Sequence, residues 1–86
     1  MLPPVIVTAD QTDASAVVGD MIDIVVDDPV NTTISVDNPE VLEITQGKDD
    51  GRALFNPGAK ALSPGTATIM VTSADGSIRD IVVTVT

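Results

Sequence analysis

The 86-residue sequence has no cysteine, histidine, tryptophan or tyrosine, and Phe55 is its only aromatic residue. Without cysteine there is no disulfide framework, no thiol nucleophile and no thiolate metal site. Without histidine, Ser15, Ser35, Ser63, Ser73 and Ser77 lack the partner base that a serine nucleophile needs. Lys48 and Lys60 sit in polar or turn-rich stretches, which offer no apolar pocket to activate an amine. Paired carboxylates are present, but a sugar-cleaving site also requires aromatic platforms and a cleft, and one ring does not supply them. The chain is therefore expected to be non-enzymatic, with no catalytic residue, no bound cofactor and no metal.

Positive charge is also scarce. Four Lys and Arg stand against thirteen Asp and Glu, for a net charge of −9. Nucleic-acid binding requires a basic footprint, and anionic membranes attract basic segments, so both partners are excluded. A surface dominated by one sign repels copies of itself and keeps the chain in solution. No apolar run approaches the ~20 residues of a membrane helix. The opening "MLPPVIVTAD" lacks the basic and long apolar regions of an export signal. Met1 is thus expected to begin either a complete non-secreted protein or a domain taken from a longer one.

What is abundant is Val, Ile, Ala and Thr. Hydrophobic residues make up 43% of the chain, and long Leu-, Lys- and Glu-rich helical stretches are absent. Branched side chains with a stiff Cβ suit a pleated surface. The length corresponds to one domain, residues 1–86.

Alternation predicts the strands. After a stiff Pro3-Pro4, "VIVT" (5–8) reads as a first strand and 9–15 as a polar loop. Gly19-Asp20 turns the chain into a strand with Ile22, Ile24 and Val26 on one face, stopped by "DDPVN" (27–31). "TTISV" (32–36) and "VLEIT" (41–45) flank the turn "DNPE". "QGKDDG" (46–51) reads as a flexible charged loop of hairpin type. "RALFNPGAKAL" (52–62) reads as a bulged strand or one interrupted at Asn56-Pro57-Gly58. Ser63-Pro64-Gly65 opens a strand carrying Ala67, Ile69 and Val71 on one face. Asp75-Gly76 then joins it to a last strand carrying Ile81, Val83 and Val85, in a β-hairpin. One such sheet leaves an apolar face wet, so a second sheet is expected to cover it. The expected fold is all-β: an immunoglobulin-like β-sandwich of about seven strands in two packed sheets.

Several segments resemble bacterial immunoglobulin-like domains of group 2: "VVGDMIDIVV", "TTISVDNPEVLEI", "AKALSPGTATIMVTSADG" and "DIVVTV". The likeness covers about 18–85, and Pro64–Ile69 is its most diagnostic part. Ile34 stands where that family usually carries Trp, and Phe55 is expected to fill part of the space. The strand after Gly19-Asp20, "NPEVLEI" and "PGTATI" are also similar to chagasin-like cysteine-protease inhibitors. That resemblance implies binding through loops at Asp28–Ser35 and 73–77. The first keeps Asn31-Thr32-Thr33 but lacks the Gly-aromatic part, and the second has "SADGS" where the inhibitors carry "RPW".

Three lesser features remain. If Asp27, Asp28, Asp49 and Asp50 met at one end of the sandwich, they would make a weak calcium site, since hard cations take carboxylate oxygens. The D-x-D-x-D-G loop is missing, however, and solvated turn acids near Lys48 and Arg52 are the plainer reading. "NTT" (31–33) matches a glycosylation sequon. Met21, Val25 and Val82 on outward positions either form a small apolar patch for a neighbouring domain or subunit, or are ordinary scattered surface residues.

The expected task is structural. The group 2 resemblance implies a spacer, display or adhesion module of a bacterial cell-surface protein, extracellular and part of a larger secreted chain. Decoration of a phage virion and chagasin-like protease inhibition are the alternatives. The expected partners are proteins (neighbouring domains, a receptor or virion subunits) or a surface glycan. The first and last strands, if they pair or abut near opposite ends, would carry load through backbone hydrogen bonds.

Overall fold

The computed structural model describes residues 4–8 and 10–86; Met1, Pro3 and Ala9 of the sequence reading lie outside them. Ten strands form: β1 (Val5–Val7), β2 (Asp13–Ala16), β3 (Met21–Ile24), β4 (Thr33–Val36), β5 (Leu42–Thr45), β6 (Lys48–Asp49), β7 (Leu54–Phe55), β8 (Gly58–Ala61), β9 (Gly65–Thr72) and β10 (Ile78–Val85). No helix occurs among the described residues. One four-stranded sheet has the order β1-β3-β8-β5 and the other β2-β10-β9-β4, while β6 and β7 make a separate two-stranded ribbon. This is an all-β, immunoglobulin-like sandwich of two packed sheets.

Side-chain alternation builds the interior. Ile22 and Ile24 of β3, Ala67, Ile69 and Val71 of β9, and Ile81, Val83 and Val85 of β10 all point inward and are buried. Leu42, Ala59 and Ala61 close the core from the first sheet, and Ile34 from the second. The turn chemistry lies where the residues predict it. Gly19 (φ 95°) and Gly76 (φ 89°) occupy left-handed backbone that a side chain resists. The β9–β10 hairpin is fully zipped, from Thr72 opposite Ile78 to Gly65 opposite Val85.

Several expectations change. The polar segment 9–15 is not simply a loop, because Asp13–Ala16 forms β2, paired in parallel with β10. The first strand does not meet the last: β1 pairs in parallel with β3, in the other sheet. The chain between β1 and β2 crosses from sheet to sheet, and the Arg79 Nη1 donates to the carbonyl of Gln11 at 3.0 Å and of Thr8 at 3.3 Å along that crossing. Phe55 does not fill the core. It is 43% exposed on the ribbon, with the Lys48 Nζ 5.4 Å from its ring centroid. The interior is instead aliphatic, and Ile34, 4% exposed, is packed in it without an aromatic ring.

Candidate protein-binding surface

Three connections collect at one end of the sandwich. The first runs from the end of β3 to the start of β4 (25–32), the second is the β6–β7 ribbon with its flanks (46–57), and the third is the β9–β10 turn (73–77). The Ile24 N–H donates to the Pro57 carbonyl at 2.9 Å, which ties the end of the ribbon segment to the end of β3. Gly47 lies so close to the Pro29 carbonyl oxygen that a Cβ at that position would collide with it. Between the first and third connections runs an open groove of about 400 Å³. Val25, Val26 and Ala74 supply its apolar surface over buried Val71, Asp27, Asp28 and Asp75 line it with carboxylates, and Arg79 adds one cation.

Local hydrogen bonds shape these loops. Asp75 Oδ1 accepts from the Ser77 N–H at 2.9 Å and from the Ser77 hydroxyl at 2.7 Å. Those two donors hold the Asp75 carboxyl below its ordinary pKa. Asp50 Oδ1 accepts from the N–H groups of Arg52 and Ala53, both at 2.9 Å, which likewise lowers its pKa. Asp49 Oδ1 accepts from the Gly51 N–H, and Asp28 Oδ2 accepts from the Asn31 side-chain amide. The acids at the turns thus act as short-range turn formers.

Gln46 departs most from the sequence reading. It is not part of a flexible loop. Its Oε1 accepts from the Ile34 N–H at 2.9 Å, and its Nε2 donates to the Ile34 carbonyl at 2.7 Å. One carboxamide thereby satisfies the outward N–H and C=O of Ile34 on β4, the edge strand of its sheet.

The candidate cation site does not assemble. Asp27 and Asp28 line the groove, whereas Asp49 and Asp50 belong to the ribbon, and no group of three or more acidic side chains converges among the described residues. The Met21–Val25–Val82 patch does not exist as one surface. Met21 projects from the outer face of the β3 sheet and Val82 from the outer face of the β10 sheet, on opposite sides of the sandwich. A shallow concavity of about 300 Å³ lies beside Met21, between β3, β8 and the ribbon, with Phe55 and Lys48 at its margin. No buried polar side-chain atom is left without a hydrogen-bond partner among the described residues. The end loops therefore present a shaped, acidic, partly apolar surface with no nucleophile–base pair and no metal-ligand set.

No protein-family model and no curated protein matches the sequence. Among solved structures, the cysteine protease inhibitor EhICP2 from Entamoeba histolytica is similar to this chain. The TM-score is 0.60 over 95% of this chain and 94% of the inhibitor, at 15% sequence identity. That likeness extends the immunoglobulin-like fold over essentially the whole described chain.

Proposed function

We propose that this chain is a non-catalytic protein-binding domain that meets its partner with the three connections 25–32, 46–57 and 73–77, and that a papain-like cysteine protease is the partner class. The observation that carries the reading is the groove between the first and third connections. The first connection overlaps Asp28–Ser35 and the third is 73–77, the segments through which the chagasin resemblance implies binding, and a solved structure similar in fold is named as a cysteine protease inhibitor. A wedge of loops on a rigid sandwich fits such a role, because the strands fix the loops while the loops carry the contacts. The departures affect strength. Neither loop carries an aromatic anchor, the kind of residue that dominates most interfaces, so weak inhibition is expected.

The test is titration of a papain-like protease with the purified protein. Inhibition in the micromolar range, weakened about tenfold or more by Ala74→Arg in the exposed turn, supports the reading. Full protease activity at high micromolar protein overturns it.

A second reading rests on a separate observation, the parallel pairing of β2 with β10. Pulling β2 from its start and β10 from its end loads those backbone hydrogen bonds in shear, an arrangement suited to a spacer or display module. On this reading the domain works outside the cell, on a bacterial surface or a virion, and the end loops meet a receptor, a neighbouring subunit or a glycan.

A further inference from the structure

The two sheets leave four edges: β1 and β5 in one sheet, β2 and β4 in the other. An open edge is a template for pairing with another chain, and soluble proteins blunt theirs with shortness, proline or charge. Three edges here follow that rule. β1 has three residues and follows Pro4, β2 carries Asp13, and β5 carries Glu43. β4 does not. "TISV" (Thr33–Val36) contains no charge, no proline and no glycine, and its residues are β-branched except for Ser35. It is the segment most disposed to pair with a copy of itself.

The register shows which backbone groups are exposed. Asp37 N–H donates to the Thr68 carbonyl, so the odd-numbered residues of β4 face β9. Ile34 and Val36 therefore direct their N–H and C=O outward, since backbone groups alternate along an antiparallel strand. Ile34 is the residue whose outward pair Gln46 occupies. We infer that Gln46 is an edge guard: its carboxamide stands in for a neighbouring strand, and β4 beneath it is a latent pairing surface for the β4 of a second copy.

The balance of hydrogen bonds explains why the guarded form stays single. Two copies related by a two-fold axis through Ser35 would set Ile34 opposite Val36 of the other copy, and each copy would donate two backbone bonds. Each copy would also lose the two bonds made by Gln46. The exchange gains no hydrogen bond and costs the freedom of two molecules, so the intact chain is monomeric. Removing the carboxamide takes the lost side-chain bonds out of this balance and leaves only the cost of association, which high concentration offsets.

The experiment combines hydrogen exchange with sedimentation velocity from micromolar to millimolar protein. In the wild type the Ile34 amide is expected to be protected and the protein to sediment as a monomer. In Gln46→Ala, and in Gln46→Ser as a second truncation, monomer–dimer exchange is expected at the upper concentrations. Adding Ser35→Lys to either variant is expected to restore the monomer, because two lysines would meet at the axis. An Ile34 amide that exchanges freely in the wild type overturns the inference. So does a folded Gln46→Ala or Gln46→Ser that remains monomeric at millimolar concentration, or a dimer that survives Ser35→Lys. Failure of both truncations to fold, as judged by circular dichroism, also overturns it, since Gln46 would then be a core requirement rather than a guard.

Discussion

At the residue scale, stability rests on aliphatic side chains with no aromatic help. Ile69, Ile81 and Val83 are fully buried at the centre of the two long strands. Ile69→Ala is expected to cost about 2–5 kcal/mol, the usual range for truncating a buried branched side chain, read as a lowered denaturant midpoint with unchanged slope. Val83→Asp is expected to leave no folded protein by circular dichroism, because an unpaired carboxylate cannot be buried there. Asp75 behaves differently. The Ser77 N–H and hydroxyl favour its ionised form, so its folded pKa lies below the unfolded one. The folded state then binds fewer protons. The stability this gives is present above the ordinary Asp pKa of about 4 and lost as the pH falls through the lowered folded value. Asp75→Asn should therefore lower the melting temperature at neutral pH and flatten its fall as the solution is acidified below about pH 5. Equal slopes for variant and wild type would contradict this.

At the element scale, the ribbon 46–57 is held at both ends, by Gln46 on β4 and by Pro57 on β3. Gly47 is small because the Pro29 carbonyl leaves no room for a Cβ. Gly47→Ala is expected to push the ribbon away from the 25–32 connection and increase amide exchange in both. An unchanged exchange pattern would show that the two segments move independently. Of all the strands, the β9–β10 hairpin was the most legible from sequence, because Asp75-Gly76 and two runs of strict alternation lie side by side in the chain. β2 was not legible: "DASA" alternates Asp13 and Ser15 with inward Ala14 and Ala16, but it has no branched residue, and alanine is too small and too common in other structure to mark a strand. It pairs because Thr12 and Ala16 offer carbonyls to the N–H groups of Val82 and Thr86, and main-chain bonding is indifferent to side chains.

At the scale of the whole molecule, charge and connectivity matter most. A net charge of −9 with four cations means that the folded chain repels itself. Salt at a few tenths molar, where the screening length falls to several ångström, should raise the melting temperature by a few degrees. A fall would point to stabilising ion pairs instead. Load applied at the two ends of the β2–β10 pair should meet its resistance there rather than at β1. Thr86→Pro, which removes the bond to the Ala16 carbonyl, is expected to lower the unfolding force in single-molecule pulling more than a comparable loss within β1 does.

By itself the sequence determined which side chains face inward, where the chain turns and which chemistry is impossible. These are local properties: a two-residue period sorts faces, Gly and Asn sort turns, and missing His and Cys cannot be supplied by folding. Only the tertiary structure decided which strand lies beside which. Alternation says that Met21 and Val82 point outward, but not that they point from opposite sides of the molecule. It cannot show that the first strand bypasses the last, that Phe55 stays outside the core, or that Gln46 reaches across twelve residues of chain to Ile34. Those outcomes depend on backbone hydrogen bonds between distant segments. The backbone carries the same donor and acceptor at nearly every residue, so the choice among partners falls to the packing of the whole sandwich.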